Sequence, residues 1–316
     1  MIRPFDLRDV HLVAQLENQG TPLNAELALT QKPRPLQSAL ASFLSFHSYG
    51  TRTYVWRGAW ADPVEKLEGL LQLRLWSGVA RGYVTFVAPA LASGDHVEGA
   101  WAQLIEYVGV DAARLGLHHL IAEAPEDGAE VDALRRSGFA IYLRQDIFRL
   151  EAGRAPRTAL DAGTLRECEE ADSWAIQQLY FNTAPRLAHL AEGTPQADRS
   201  GARGYVCEEK GDLVAYVEVR RGSHGAWFNS LVHPDVEARA ARILGEALAR
   251  LGPTWDRPVF CGVRRYQEWL RRPLEALGFE PYGSSVLMVK HLVAHIAEPE
   301  VARPSALEAR AKVTQP

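Results

Sequence analysis

Cysteines are scarce in this chain of 316 residues. There are three, Cys168, Cys207 and Cys261, and none of them stands in a C-x-x-C pair. Thiols that are so few and so widely spaced exclude a disulfide framework and give no pattern for a structural zinc site. We therefore predict that the protein holds no metal.

Long apolar segments are also missing. No stretch approaches the ~20 apolar residues that a membrane-spanning helix needs, and the opening residues Met1 to Asp9 lack the apolar core of a signal peptide. The sequence therefore predicts no membrane partner and a cytoplasmic location.

A surplus of positive charge is absent as well. The chain has 35 Lys and Arg against 39 Asp and Glu, which leaves a net charge of -4. Domains that bind nucleic acid usually carry a basic surplus on one face, so we predict no nucleic-acid partner. A hydrophobic content of 47% and a charged content of 23% are typical of ordinary globular proteins.

What the chain does contain is one structural plan that occurs twice. An apolar, strand-like run ends in Val87-Ala88-Pro89, and a second ends in Val232-His233-Pro234. After each proline come apolar residues at helical spacing, a short apolar strand, a second helical segment and a Gly-Phe pair. These pairs are Gly138-Phe139 and Gly278-Phe279.

The duplication predicts two domains, because the length is about twice the ~150 residues of a common domain. We place them at residues 1–152 and 158–293, followed by a flexible tail at 294–316, and expect each to bury its own core. Each repeat is predicted to open with a strand, at Ile2 to Phe5 in the first copy and at Ala159-Leu160 in the second. In each repeat, this strand is followed by two helices, three strands, a helix, a strand, a helix and the last strand or strands.

In this order the patterns resemble the GCN5-related N-acetyltransferase (GNAT) superfamily, arranged as a tandem pair. The resemblance rests on the opening Ile2 to Asp9 before a helix, the Val-x-Pro strand ends, the amphipathic helices after them and the Gly-Phe pairs. It implies an α/β (α+β) fold with two tandem domains, each a mixed, mostly antiparallel sheet flanked by helices. It also implies that the sheet opens between its fourth and fifth strands, where the pantetheine arm of acetyl-CoA or another acyl-CoA binds as co-substrate.

Both copies depart from the family at the phosphate-binding loop, written R/Q-x-x-G-x-G/A. Its glycines let backbone N–H groups approach the pyrophosphate at a helix N-terminus. The three defining positions here are Ala92, Asp95 and Val97 in the first copy and Glu237, Ala240 and Arg242 in the second. The family's frequent tyrosine, a proton donor to the leaving thiolate, is replaced by Leu134 and Leu274, which we assign to the core.

The candidate site residues lie in the second copy, since in tandem members of this kind the second unit is often the active one. Glu218, within an apolar strand, and His233, beside the cleft, are the candidate catalytic residues. A carboxylate among apolar neighbours can acquire the raised pKa that a general base needs, and this also nominates Glu123 in the first copy. The candidate cofactor-binding residues are Leu231, Val232, Arg239, Ala240, Arg242 and Gln267.

Three functions remain open from the sequence. The first is an N-acyltransferase that moves an acetyl or other acyl group to a small-molecule amine by direct attack, more plausibly in the second domain. The second is a catalytically inactive tandem fold that binds a small molecule or a protein, which the loss of both loops and both tyrosines favours. The third is a structural role in an assembly. The acceptor, the acyl chain length and the oligomeric state have no signal in the sequence.

Overall fold

The computed structural model describes residues 1–44, 50–59, 66–76, 78–93, 97–154, 164–193, 195, 201–252 and 254–292. In the first half the strands are β1 Ile2–Pro4, β2 Thr21–Pro22, β3 Gly50–Ala59, β4 Lys66–Leu75, β5 Arg81–Ala88, β6 His119–Pro125 and β7 Ala140–Leu150. Its helices are α1 Val10–Leu16, α2 Ala25–Thr30, α3 Pro35–Leu44, α4 Val97–Arg114 and α5 Ala129–Arg136.

The second half repeats this order, except that its described residues include no counterpart of β2 and two helices, instead of three, before the hairpin strands. Its strands are β8 Leu165–Glu167, β9 Ala202–Glu209, β10 Asp212–Arg221, β11 Ala226–Val232, β12 Val259–Arg264 and β13 Glu280–His291. Its helices are α6 Ser173–Thr183, α7 Arg186–Glu192, α8 Glu237–Ala249 and α9 Arg271–Ala276. The predicted opening strand at Ala159-Leu160 falls outside the described residues, and the first described strand of this half is β8.

All described strands form one sheet that runs through both halves. Its order is β1-β3-β4-β5-β6-β13-β7-β12-β11-β10-β9-β8, with β2 beside β5. Only the pairs β5–β6 and β11–β12 are parallel, and the other described pairs are antiparallel. This confirms the predicted mixed, mostly antiparallel sheet flanked by helices.

The last strands of the two halves are exchanged. β13 lies between β6 and β7 of the first half, while β7 lies beside β12 of the second half. Val286 and Met288 are therefore buried in the core of the first half, and Phe148 and Leu150 in the core of the second. The expectation that each half buries a core of its own is wrong, because each core is completed by the other half's last strand. The division into domains at residues 1–152 and 158–293 stays a prediction.

The repeated Gly-Phe pair ends a helix in the same way in both halves. Gly138 and Gly278 have φ of 88° and 87°, a left-handed conformation that glycine adopts without steric cost. The next residue's N–H then donates to the carbonyl of Leu134 or Leu274, at 3.0 Å in each case. Both leucines are fully buried, as predicted.

The helices α4 and α8 follow the predicted apolar stripes. In α4 the residues Trp101, Leu104 and Ile105 are buried, and in α8 the residues Ile243 and Leu244 are buried. Each stripe packs in the main core of its half. Among the described helices, none combines the length and the apolar composition needed to span a membrane.

A second repeated feature was not predicted. Arg3 forms a two-pronged ion pair with Asp9, with both N–O distances 2.8 Å, and Arg166 forms the same pair with Asp172 at 2.7 Å. Each aspartate sits just before the first helix of its half and also accepts a backbone N–H three residues upstream. The spacing Arg-x5-Asp was visible in the sequence and would have placed the opening of the second copy at Arg166.

The buried carboxylate of Asp172 makes stability depend on pH. Hydrogen bonds from Arg166 hold the pKa of Asp172 below its ordinary value. A lowered pKa stabilises the fold above the pKa of the unfolded chain, and this contribution is lost as the pH falls through the folded value. We expect Asp172→Asn to lower the free energy of unfolding by about 1–3 kcal/mol at pH 7.

Urea titrations at about pH 7 and about pH 3 test this expectation, because the difference between Asp172→Asn and wild type should shrink at the lower pH. Glu170→Gln, at an exposed position on the same turn, is the control and should behave as wild type at both pH values. An equal deficit of Asp172→Asn at both pH values would show that the charge of Asp172 is not the cause.

Candidate functional site

The two parallel strands of the second half part midway along their length. β11 and β12 pair from Ala226–Val259 to Asn229–Gly262, and beyond this point their residues no longer pair with each other. In the first half, the pairing of β5 with β6 ends in the same way at Tyr83–Ile121. In each half, the sheet therefore opens between the fourth and fifth strands of the family plan, as the resemblance implies.

The opening in the first half is filled by the protein's own backbone. The N–H of Leu23 donates to the carbonyl of Thr85 on β5 at 2.9 Å, and its carbonyl accepts the N–H of Glu123 on β6 at 3.0 Å. The side chain of Leu23 is buried as well. Leu23 thus bridges the two diverging strands, and among the described residues no backbone segment bridges β11 and β12 in this way.

A cavity of about 140 Å³ lies where β11 and β12 part. It is on the face of the sheet covered by α6 and α7, away from α8. Both halves line it. Its acidic residues are Glu26, Glu123, Glu192 and Glu218; its aromatic residues are Tyr83, Tyr180, Tyr216, Trp227 and Tyr266; and its other polar residues are Asn24, Gln145, Asn229, Ser230, Arg264 and Gln267.

Glu123 is a buried carboxylate that the fold orients firmly. It accepts the N–H of Ala25 at 3.0 Å, the hydroxyl of Ser285 at 2.6 Å and the amide N–H of Gln145. Burial raises the pKa of Glu123 above its ordinary value, although these hydrogen bonds and the charge of Arg264 act in the opposite direction. Its donors come from three segments, α2 with Ala25, β7 with Gln145 and β13 with Ser285, and the last two are the exchanged strands.

Glu218 lines the same cavity from β10, across the opening from Glu123. Its Cα pairs with that of Asn229, the last residue of β11 that also pairs with β12. The side chain is buried, and its Oε1 lies 3.5 Å from Nη2 of Arg220, which also pairs with Glu26. A cation at this distance favours the ionised form of a carboxylate.

A third carboxylate, Glu192, anchors the wall of the cavity. It accepts the hydroxyls of Tyr142 at 2.8 Å and Tyr180 at 3.4 Å, and it pairs with Arg264 at 3.1 Å. Burial raises the pKa of both tyrosines, so their phenols stay protonated and donate. Burial also raises the pKa of Tyr266 to about 12, so this phenol too is neutral at physiological pH.

Two buried donors at the cavity have no hydrogen-bond partner among the described groups. They are Nη1 of Arg264 and Nε2 of Gln267. Leaving such a donor unpaired costs about 1–3 kcal/mol each. A ligand carbonyl or carboxylate in the cavity would satisfy them.

Three of the site residues predicted in the second copy line this cavity, namely Glu218, Leu231 and Gln267, and so does Glu123, the residue nominated in the first copy. Val232 and Ala240 are fully buried in the core of the second half. His233 starts a 3-10 turn, where its Nδ1 accepts the N–H of Asp235 at 3.3 Å. This turn leads into α8.

The predicted phosphate-binding arginines lie on the first two turns of α8. Arg239 pairs with Glu209, and Arg242 pairs with Glu246 at 3.3 Å; both arginines are about half exposed. Glu237 in the first turn disfavours an anion there. In the first copy, Asp95 lies outside the described residues.

The residues that sequence inspection missed are Glu192, Gln145 and Arg264. Glu192 ends a short helix in a weakly patterned segment, and Gln145 lies between Arg144 and Asp146 in a strand of mixed polarity. Only the register of β7 against β12, where Gln145 pairs with Arg264, brings them to the cavity. Within the described residues, no group of three or more His, Cys, Asp or Glu side chains could hold a metal ion.

No protein-family profile matches the sequence, and no curated protein matches it. The fold, in contrast, has solved counterparts. A tandem GNAT protein from the clavulanic acid biosynthesis pathway, solved without acetyl-CoA, aligns with 93% of this chain and 98% of its own at 17% identity, with a TM-score of 0.55. A GCN5-related N-acetyltransferase from Sphaerobacter thermophilus aligns with 92% of this chain and 95% of its own at 13% identity, with a TM-score of 0.51.

Identities this low show the fold and leave the activity open. The chain therefore has the tandem GNAT fold that its sequence resembles, with the phosphate-binding loop of the family degenerate in both copies.

Proposed function

We propose that the protein is an N-acyltransferase whose single active site lies in the second half. The observation that carries this proposal is the difference between the two openings. The opening between β11 and β12 leads into an acidic cavity, whereas Leu23 fills the opening in the first half. Only the second half thus offers both a groove for an acyl-CoA and a chamber for an acceptor.

The opening between β11 and β12 forms a groove that suits the amide-rich arm of an acyl-CoA. The unpaired donors of Gln267 and Arg264 face this site and would bind carbonyl oxygens of the ligand. Beyond the C-terminal end of β11, Arg239 and Arg242 are half exposed and would approach the phosphates in place of the missing glycines. Their present partners Glu209 and Glu246 weaken this end of the site, so we expect modest affinity.

The cavity suits a cationic amine acceptor. Four carboxylates against one arginine make the lining acidic, and the tyrosine and tryptophan faces add cation–π contacts. A cavity of about 150 Å³ holds a ligand the size of benzene, so the part of the acceptor that enters is small. We assign the acceptor to small primary amines.

The two central carboxylates would have different roles. Glu218, paired with Arg220, would bind the ammonium form of the acceptor. Glu123, with its raised pKa, takes the first proton, which the ammonium group loses before the reaction. The free amine nitrogen attacks the thioester carbonyl carbon, a C–N bond forms, the C–S bond breaks, and its electron pair stays on sulfur. The thiolate of CoA then takes the second proton, which the nitrogen loses as the amide forms.

Calorimetric titration of acetyl-CoA and of CoA into the full chain tests the cofactor site. We expect a dissociation constant near or below about 100 μM, since the groove and its donors are formed before binding. Arg239→Gln should weaken binding by about 3- to 10-fold through loss of a phosphate contact.

The matched control is Gln103→Glu, an exposed position on α4 of the first half that changes the net charge by the same amount. It should leave the affinity unchanged. If Gln103→Glu and Arg239→Gln weaken binding equally, the cofactor does not sit at α8. If acetyl-CoA gives no heat at millimolar concentration over a range of temperatures, the alternative of an inactive binding module replaces the enzyme.

A further inference from the structure

A second cavity, of about 600 Å³, lies between the halves and has the opposite charge. Five of its lining side chains are basic: Lys32, Arg34, Arg74, Arg221 and Arg257. No described residue of its lining is an Asp or a Glu. In a chain whose net charge is -4, this is a local concentration of positive charge that the composition does not predict. We call it the basic cavity.

Two of these cations, Arg221 and Arg257, are held mainly by contacts with neutral groups. The guanidinium groups of Arg221 and Arg257 both stack on the ring of Trp255, at 5.9 and 5.8 Å from its centroid. They also donate to backbone carbonyls, Arg221 to Arg250 at 2.7 Å and Arg257 to Gly222 at 3.2 Å. Arg257 also lies 4.0 Å from Asp256, at the limit of an ion pair. The other described partners of Arg221 and Arg257 are neutral. Carbonyl and ring contacts fix a guanidinium in position and leave its charge available.

The two halves meet tightly at the base of this cavity. The turn between β10 and β11 donates the N–H of His224 to the carbonyl of Thr30 at the end of α2, at 2.9 Å. Gly222 packs so closely that a side chain there would come within 2.1 Å of the same carbonyl oxygen. The basic residues of the second half are therefore held against those of the first by a close backbone contact.

Converging like charges repel one another, and a bound anion removes that repulsion. Arginine binds phosphate with two parallel hydrogen bonds, and several arginines in one cavity suit a ligand with adjacent phosphates. The volume lies within the ~300–1,000 Å³ of small-molecule sites. Leu27, Phe86 and two prolines provide an apolar wall beside the cations.

We propose that the basic cavity binds a phosphorylated small molecule that carries two or more linked phosphoryl groups. This site is separate from the acidic cavity and does not depend on the proposed acyl transfer. It joins residues of both halves, so its ligand would also tie the halves together.

Titration of inorganic tripolyphosphate into the full chain at about 0.15 M salt tests the proposal, since weak surface attraction is screened under these conditions. We expect saturable binding that the double variant Lys32→Gln/Arg34→Gln weakens at least about tenfold. Both residues are exposed, so the variant should fold. The unfolding temperature of the wild type should rise with tripolyphosphate, because the anion binds only the folded state.

The control Arg114→Gln/Arg272→Gln removes the same charge from exposed positions outside the basic cavity and should stay within about twofold of wild type. Titration of adenosine triphosphate as a second ligand shows which part of the ligand is recognised. If it binds more tightly than tripolyphosphate, the site recognises a nucleotide. If the two bind equally, the site recognises the phosphates alone. The proposal is overturned by the absence of saturable binding at about 1 mM tripolyphosphate, or by equal weakening in both double variants. It is also overturned if Arg239→Gln, at the separate acyl-CoA site, abolishes tripolyphosphate binding while Lys32→Gln/Arg34→Gln does not.

Discussion

Residues 1–152 and 158–293, produced as separate chains, are expected to remain largely unfolded, whereas the two produced together should form one stable complex. The reason is the exchange of β7 and β13. Without β13, the first half has a gap between β6 and β7, and without β7 the second half lacks the strand beside β12. Each isolated half would expose strand edges and the apolar residues that the missing strand covers.

The size of the effect follows from the buried side chains of β13. The side chains of four consecutive residues are almost fully buried: Val286, Leu287, Met288 and Val289 have exposed fractions of 1, 6, 0 and 5%. At about 1.5–3 kcal/mol for each large apolar side chain, the loss is comparable with the ~5–15 kcal/mol that stabilises a whole domain. The lost strand pairing adds to it.

Circular dichroism and gel filtration of each half, alone and mixed, measure this directly. The control is the full chain cleaved after folding within residues 153–157, which should keep its size and its cooperative unfolding because the exchanged strands hold the pieces together. Cooperative unfolding of residues 1–152 alone would contradict the expectation, and so would the failure of coproduced halves to associate.

Local patterns in the sequence predict the order of the helices and strands. They do not predict the exchange of β7 and β13 between the halves. Helical spacing marks α4 and α8, and the Gly-Phe pairs mark the ends of α5 and α9, because these features depend on neighbours within a few residues. β7 and β13 carry similar apolar patterns after the same Gly-Phe signal. Either half could accept either strand on pattern alone, so the partner is set by packing and register across the whole sheet.

For the candidate site, too, the sequence predicted individual residues but not how the fold brings them together. Glu123 and Glu218 were identified as carboxylates within apolar strands, and both line the acidic cavity. They come to line one cavity because the exchanged strands β13 and β7 lie between β6 and β12. No local sequence pattern indicates this exchange. The filling of the first opening by Leu23 was also hidden, since Thr21-Pro22-Leu23 looks like an ordinary loop in the sequence.

The second large effect concerns Glu123. Glu123→Gln is expected to lower kcat for acyl transfer by about 10²- to 10⁴-fold, the usual contribution of a general base. The amide keeps the shape and can still accept from Ser285 and Gln145, so the fold should survive. Glu218→Gln should instead raise KM for the amine, because it removes a charge that holds the acceptor.

The pH profile separates catalysis from mere disruption. Burial raises the pKa of Glu123, and a base acts only when deprotonated, so the wild-type rate should fall as the pH drops through that raised pKa. In Glu123→Gln this dependence should vanish from the residual rate. Release of CoA from acetyl-CoA, followed with a panel of short primary amines, provides the assay.

Glu167→Gln, an exposed carboxylate on β8, is the control and should match wild type in kcat, KM and pH profile. Unfolding curves of each variant show whether a lost rate reflects a lost fold. A Glu123→Gln enzyme that is folded and retains the wild-type rate and pH profile would remove Glu123 from the mechanism. If Glu218→Gln then lost kcat and the pH dependence with KM unchanged, the role of base would pass to Glu218, across the same opening in the sheet.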